Sequence, residues 1–90
     1  MLRIQRDPSS ATKATLRLEG RLGSGEVELL LRCVEPCLAS SLDVELDLGE
    51  LRYLDDPGAR LLHALSERGV RLTGATGYVH QLLGALEDGR

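Results

Sequence analysis

Two adjacent aspartates, Asp55 and Asp56, are the residues of this sequence best placed to do chemistry. They follow the run "LRYL" and precede Pro57 and Gly58, so they stand where an apparent strand gives way to an apparent helix. Paired carboxylates can divide acid and base duties when their environments push their pKa values apart. Adjacent side chains at the end of a strand diverge, however, and no His, Cys or Lys lies nearby in the sequence to complete a nucleophilic set. The sequence therefore predicts a protein that is not an enzyme.

A structural role accounts for one of the two carboxylates. Asp is among the best helix N-cap residues, and Pro is favoured at the first helical position. The pair Asp56 and Pro57 fits this pattern, and a carboxylate also suits the positive end of a helix dipole. A cap at Asp56 leaves Asp55 unexplained, and it does not say why Gly58 follows so closely.

Length and charge narrow the function classes. The chain has 90 residues, which predicts one domain over residues 1–90. Its net charge is −3 and its arginines are scattered, so no basic patch indicates contact with a nucleic-acid backbone. Tyr53 and Tyr78 are the only aromatic residues, which gives little for bases to stack on. No nucleic-acid partner is predicted.

Targeting and metal signals are weak. No stretch has the length and apolarity of a signal peptide core or a membrane span, which predicts a cytoplasmic protein without direct membrane insertion. Cys33 and Cys37 lie four apart in one predicted helix, so we expect two small apolar side chains near the core and no disulfide. His63 and His80 fall in separate elements. No metal and no cofactor is predicted.

Alternation of apolar and polar residues predicts four strands, and apolar residues at helical spacing predict three helices, in the order β-β-α-β-α-β-α. The inward strand residues are Leu2 and Ile4, then Ala14, Leu16 and Leu18, then Leu42, Val44, Leu46 and Leu48, then Val70 and Leu72. The helix stripes are Val27, Leu30, Leu31, Val34 and Leu38, then Ala59, Leu61, Leu62 and Leu65, then Tyr78 or Val79 with Leu82, Leu83 and Leu86.

Three residues mark features within or at the ends of these helices. Ser24 is the expected N-cap of the first helix. Pro36 lies inside that helix, where it predicts a kink or a shortened last turn because it lacks a backbone donor. Gly69 is the expected C-cap of the second helix.

The polar half of each strand predicts the architecture. Strands buried on both faces would be almost continuously apolar, so all three helices should cover one face of the sheet. Right-handed crossovers that keep their helices on the same face must step in the same direction. The expected fold is a mixed α/β sheet in the order 1-2-3-4, with strand 1 antiparallel at one edge. An exposed edge on strand 4 would permit self-association.

The face without helices carries opposite charges on neighbouring strands. Asp43, Glu45 and Asp47 on strand 3 should lie between Arg17 on strand 2 and Arg71 on strand 4. Such pairs contribute roughly 0.2–1 kcal/mol each. Two interpretations remain open: a surface that serves only solubility, or a surface for a partner or a second copy.

Three segments together resemble the STAS domain, named for sulfate transporters and anti-sigma-factor antagonists. They are "GRL" at residues 20–22, "VELDLGELRYLDDPGARLL" at residues 44–62 and "RGVRLTGATGYVHQLL" at residues 68–83. The family pattern is a strand of the type "hDLSGVxFID" followed by "S-S/T-G-L" at the start of a helix. The resemblance implies a sheet with its helices on one face, in agreement with the order above.

The resemblance also implies roles for the residues at the aspartate pair. In the antagonists, a partner anti-sigma factor that is itself a kinase phosphorylates the first Ser of the motif, and the phosphate disrupts binding. By that correspondence Asp55 matches the family Asp and Gly58 the family Gly, while Asp56 stands at the phosphorylated serine and Pro57 at the second hydroxyl residue. No phosphate acceptor remains. Asp56 would either imitate phosphoserine permanently or only cap the helix, and the cap is the simpler interpretation.

The expected function is a protein-binding module that resembles anti-sigma-factor antagonists but lacks the phosphoserine switch. Its partner would be an anti-sigma factor kinase. The alternatives are an accessory STAS subunit that binds a membrane transport ATPase, and a sensor that binds an anion or nucleotide at the loop between Thr73 and Gly77. That loop lacks the lysine and spacing of a P-loop, so it is interpreted as a turn and cap. The predicted partner-binding residues are Asp55, Asp56, Pro57, Gly58, Arg60 and His63.

Overall fold

The computed structural model describes residues 1–7 and 10–88 and has the predicted order β-β-α-β-α-β-α, with one short 3₁₀ helix added before the first α-helix. The predicted α/β fold class is therefore confirmed. The elements are β1 (Leu2–Asp7), β2 (Lys13–Leu22), a 3₁₀ helix (Ser24–Glu26), α1 (Val27–Ala39), β3 (Asp43–Leu54), α2 (Asp56–Glu67), β4 (Arg71–Thr73) and α3 (Gly77–Asp88).

The four strands form one sheet in the order β1-β2-β3-β4. β1 is antiparallel to β2, and the other neighbouring pairs are parallel. Leu16, Leu46 and Leu72 lie side by side across the three parallel strands. The predicted strand order, including the antiparallel edge strand, is confirmed.

The helices pack against the apolar face of this sheet. Leu18 and Leu46 of the sheet are fully buried, as are Leu30 of α1 and Leu62 of α2, and all belong to one core cluster. Val79 of α3 is also buried in this core. The side chains of Tyr78 and Leu86, which were also expected on the α3 stripe, lie outside the described residues. The apolar side chains of the sheet are buried under the helices, which stabilises the fold. The opposite face of the sheet carries polar side chains, and we call it the open face.

β3 departs from simple alternation in its second half. Its register against β2 shifts at two places, and the buried residues there are spaced by three: Leu48, Leu51 and Leu54. An extra residue in one strand re-aims the side chains that follow it, so residues three apart can return to the same face. The strand is therefore packed in the core up to Leu54, and Asp55 follows directly at its C-terminal end.

α1 carries the proline and both cysteines. Pro36 lies inside the helix, which ends three residues later at Ala39. Cys37 is buried and Cys33 half-buried, and both are free thiols. The Cys37 thiol donates to the Cys33 carbonyl oxygen at 3.5 Å. They behave as the small apolar core residues that the sequence predicted.

α2 ends one residue earlier than expected, with Arg68 and not Gly69 as its C-cap, and one ion pair joins it to α1. Gly69 has φ +94 and directly follows the C-cap residue Arg68, which is the conformation that glycine adopts without a steric cost. The guanidinium of Arg68 lies 2.6 Å from the Glu35 carboxylate of α1. That hydrogen bond lowers the pKa of Glu35.

Candidate functional site

The carboxylate of Asp55 caps α2. Asp55 has extended backbone angles, φ −96 and ψ 179, and its Oδ1 accepts a hydrogen bond from the Gly58 backbone N–H at 2.9 Å. The helix begins at Asp56, and Pro57 occupies its first turn, where no N–H is needed. The prediction that Asp56 is the N-cap was wrong by one residue.

The second carboxylate oxygen of Asp55 explains this shift. Oδ2 accepts from the Ser24 backbone N–H at 3.0 Å, across the gap between the β3–α2 junction and the β2–α1 junction. A residue one position later in the chain would lie inside the helix and could not reach Ser24 from the strand end. Local preference allowed either aspartate to cap, and the long-range donor, the Ser24 N–H, selects Asp55. We call Asp55 with its two donors, Ser24 and Gly58, the junction contact.

The start of the 3₁₀ helix corrects a second prediction. Its N-cap is Gly23, and the capping bond runs from the Gly23 N–H to Glu26 Oε1 at 2.9 Å. Ser24 is therefore not an N-cap through its side chain; its backbone N–H serves the junction contact instead. The sequence reasoning missed Gly23, Ser24 and Glu26 as members of this site. The signal available was a glutamate three residues after Gly23, which is the spacing of a capping box.

Two glycines allow the two junctions to approach each other. A Cβ on Gly58 would collide with the Leu22 carbonyl oxygen, and Gly58 is buried. A Cβ on Gly23 would lie 2.9 Å from Asp55 Oδ2. Gly58 is thus required by close packing, which answers why a glycine follows the aspartates so closely.

The remaining predicted residues lie on the solvent side of α2. Asp56 Oδ2 is 2.8 Å from Arg60 Nε, and both side chains are exposed. One helical stripe continues through His63, whose Nε2 lies 3.3 Å from Glu67 Oε1. We call Asp56, Arg60, His63 and Glu67 the exposed stripe. Pro57, also exposed, adjoins it.

The six predicted site residues therefore divide into two groups. The half-buried Asp55 and the buried Gly58 hold the junction together through the hydrogen bond between them. Asp56, Pro57 and Arg60 face solvent, and the half-buried His63 lies further along the same helix. The two aspartate side chains diverge, as expected for adjacent residues at a strand end, and their oxygens are engaged by different partners.

The loop before α3 is the alternative candidate site, for an anion or nucleotide. The residue at its start is hydrogen-bonded to the sheet. Thr73 Oγ1 lies 3.1 Å from Glu45 Oε2, to which it donates. Gly74, with φ +74, packs so closely that a Cβ there would lie 2.9 Å from Asp47 Oδ1. Further along, Thr76 lines a cavity of about 310 Å³ in which Glu50 and Arg52 supply opposite charges. Within the described part of the chain, no group of three potential metal ligands occurs.

The open face has the charge pattern that the sequence predicted. Lys13 Nζ lies 2.7 Å from Glu45 Oε1, and Arg17 Nε lies 3.8 Å from Asp47 Oδ2. The hydrogen bond from Lys13, followed by the one from Thr73, lowers the pKa of Glu45. The acidic β3 is therefore neutralised by its neighbours, so this face offers no strong field of one sign.

Comparison with known proteins agrees with this geometry. A family model described as "Mlab, STAS domain" matches residues 6–87. No curated protein sequence matches the chain. In the described residues, each helix is too short or too polar to cross a lipid bilayer.

Solved structures share the fold. The anti-sigma factor antagonist SpoIIAA in its unphosphorylated form aligns with a TM-score of 0.68 at 14% identity, over 91% of this chain and 82% of that one. An uncharacterized protein of the DUF3478 family with a SpoIIAA-like fold, from Shewanella loihica PV-4, aligns with a TM-score of 0.59 at 19% identity. That alignment covers 84% of this chain and 68% of the other. At these identities the likeness establishes the fold.

Proposed function

Since this chain belongs to the STAS domain family, we propose that it is a cytoplasmic, non-enzymatic protein-binding module of the anti-sigma-factor-antagonist kind. Its partner docks on the first turns of α2. The observation that carries the proposal is the division of labour at the aspartate pair. Both carboxylate oxygens of Asp55 are hydrogen-bonded within the fold, whereas Asp56, with the rest of the exposed stripe, is held at the surface by the junction contact.

The contacts of the two carboxylates support the proposal of a non-enzymatic module. Both oxygens of Asp55 accept backbone N–H groups, and Asp56 is held by Arg60. A general acid or base must reach a substrate proton within hydrogen-bond distance. Each aspartate is held by its own partners, and the two are not paired with each other, which supports a non-enzymatic role.

The docking surface is the exposed stripe with Asp55, Pro57 and Gly58 behind it. Asp56 and Arg60 form an ion pair along it, and the His63 imidazole lies beside the Glu67 carboxylate. Such a surface suits a partner that places a cationic group opposite Asp56 and an anionic group opposite Arg60, because matched potentials set register and exclude wrong partners. The buried face of α2 holds the stripe in place through Ala59, Leu62 and Leu65, which pack in the core.

By the family resemblance, Asp56 stands where antagonists carry a phosphorylated serine. Asp56 is not needed as a cap, so its charge is available for another role. It carries about one negative charge against −1.5 to −2 for phosphoserine, and Arg60 offsets that charge within hydrogen-bond distance. We therefore propose that the module resembles the unphosphorylated, binding-competent form and stays in it, because residues 55–60 offer no hydroxyl.

Binding measurements on α2 variants test this proposal. The probes are a purified anti-sigma factor kinase and a purified transport ATPase from the genome that encodes this chain, each titrated by calorimetry. Arg60→Glu reverses a charge in the middle of the stripe and should weaken binding at least about tenfold, as expected when like charges meet at an interface. Arg71→Glu, an equal charge change on the open face, is the matched control and should leave affinity unchanged. A partner that binds the wild type and Arg60→Glu equally would contradict docking on α2.

The variant Asp56→Ser tests the state of the switch. If Asp56 with Arg60 resembles the unphosphorylated form, Asp56→Ser binds the partner with the wild-type affinity. A gain of about tenfold or more, within the range of switch couplings, would mean instead that Asp56 imitates phosphoserine. Mass spectrometry of the Ser variant after incubation with the kinase shows in parallel whether the junction is still recognised as a substrate.

The accessory subunit of a membrane transport complex is the second candidate. The matching family model is described as "Mlab, STAS domain" and not as an antagonist, which keeps this candidate open. It would use the same stripe, so binding of the ATPase and not of the kinase would select it. The nucleotide sensor stays a less favoured prediction: a low-micromolar dissociation constant for GTP or ATP would support it.

A further inference from the structure

β1 forms one edge of the sheet, and no strand among the described residues pairs with its outer side. It is six residues long, whereas β4 at the opposite edge has three. A row of unpaired backbone N–H and C=O groups is a template for another strand, and short edge strands are one way to avoid such pairing. Both β1 and β4 are edge strands of the described sheet, and the sequence had pointed to strand 4; the longer β1 is the edge better suited to self-association.

The charges of β1 are complementary to themselves when the strand is reversed. Arg3, Gln5 and Asp7 all lie on the open face. Their neighbours on β2 are, in the same order, Glu19, Arg17 and Thr15. In an antiparallel pair centred on Gln5, Arg3 of each copy stands opposite Asp7 of the other. Residues opposite each other across antiparallel strands have Cβ atoms about 5 Å apart, close enough for ion pairs.

Other registers are less favourable. Residues opposite each other in an antiparallel pair lie on the same face of the sheet. The symmetry centre of the pair must therefore fall on a residue, and alternative registers place it on a different residue of β1. A centre at Arg6 would set the two Arg6 side chains against each other, and a centre at Arg3 would do the same for Arg3. A centre at Ile4 would leave Arg3 opposite the neutral Gln5. The register centred on Gln5 alone pairs opposite charges.

We propose that β1 binds β1 of a second copy in this antiparallel register, which joins the two four-stranded sheets into one. On the helix side of the sheet, the half-buried Ile4 then packs under the aliphatic stem of Arg6 of the second copy. The contact uses no residue of α2. It therefore goes beyond the proposed docking function, and both copies keep their exposed stripes available.

Sedimentation equilibrium over a concentration series tests the proposal. An interface this small predicts a dissociation constant of about 10⁻⁴ M. Arg3→Asp and Asp7→Arg each convert two opposite-charge pairs into like-charge pairs and should weaken the dimer about tenfold. The double variant Arg3→Asp/Asp7→Arg restores the pairing and should restore the dimer. Arg52→Asp, the same charge change on the central strand β3, is the control and should dimerise like the wild type.

A cysteine placed at the proposed centre tests the register. In a Cys33→Ala/Cys37→Ala background, Gln5→Cys should form a disulfide-linked dimer on oxidation, because equivalent positions face each other there. Arg3→Cys should not, since its neighbour is Asp7 of the second copy. A chain that stays monomeric at about 10⁻³ M, a dimer unaffected by both single charge changes, or equal cross-linking at positions 3 and 5 would overturn the proposal. None of these outcomes depends on the partner that binds α2.

Discussion

At the β3–α2 junction one carboxylate joins two backbone segments. On the open face, by contrast, the carboxylates of Glu45 and Asp47 pair with cationic side chains that are exposed to solvent. Asp55 is half-buried and accepts from N–H groups of Ser24 and Gly58. Asp47, by contrast, lies 3.8 Å from Arg17, whose side chain is 57% exposed. The same functional group therefore joins two backbone segments that are distant in the sequence in one region, whereas in the other it pairs with an exposed side chain and accepts from the nearby Gly49 N–H.

The difference lies in what replaces each contact when it is lost. On the open face, water can solvate both members of a broken ion pair, so exposed pairs typically contribute about 0–1 kcal/mol. At the junction, loss of the acceptor removes the helix cap and leaves the part-buried Gly58 N–H without its partner, and the loss of an N-cap side chain costs about 0.5–2 kcal/mol. Charge alone is thus a poor guide to the contribution of an aspartate.

The largest expected effect comes from closing the space between the two junctions. Gly58→Ala places a Cβ against the Leu22 carbonyl oxygen, which is backbone and cannot rotate away. We expect a loss of about 3 kcal/mol in the free energy of unfolding, measured by urea denaturation. Gly25→Ala is the control, because a Cβ there meets nothing within 4 Å. Equal stability of the two variants would show that the junctions are not held as close as described.

The next effect separates the two aspartates. Asp55→Ala removes the cap and the Ser24 contact together and should lower the free energy of unfolding by about 2 kcal/mol. Asp56→Ala removes only an exposed i,i+4 pair with Arg60 and should cost less than about 0.5 kcal/mol. Thermal melting of both variants gives the comparison. A larger loss from Asp56→Ala would reverse the assignment.

The smallest effect is a pH dependence on the open face. The pKa of Glu45 is lowered below 4.5 by the Lys13 and Thr73 hydrogen bonds, so its ionised form contributes stability above that pH. The contribution, about 0.5 kcal/mol for a partly exposed pair, is lost as pH falls through the lowered pKa. The difference in unfolding free energy between wild type and Glu45→Gln should be constant near neutral pH and vanish in acid. A difference that grows on acidification would contradict the pairing.

The strand order and the helix faces could be predicted because each rests on local periodicity. Leu16 and Leu46 alternate with polar neighbours, and Leu62 and Leu65 recur at helical spacing. With one apolar face per element, few arrangements of the sheet remain possible. The open-face charges followed from the same alternation.

The site could be predicted only to within one residue, because its decisive contact is long-range. Asp55 and Asp56 have similar local claims to the N-cap, and the residue before a proline is even biased against helix, which favoured Asp56. Ser24, thirty-one positions earlier in the chain, selects Asp55. The register shifts that bring Leu51 and Leu54 onto the core face likewise depend on β2 and leave no clear local signal.

Amide hydrogen exchange tests most directly the claim that Asp55 holds the junction while Asp56 is left for the surface. Exchange at the Ser24 and Gly58 amides is measured relative to the Leu46 amide in the sheet, which corrects for global stability. Asp55→Ala should accelerate both amides by about tenfold or more, as expected when a local hydrogen bond is lost, while Asp56→Ala leaves them at the wild-type ratio. Acceleration in Asp56→Ala, or unchanged ratios in Asp55→Ala, would contradict the account.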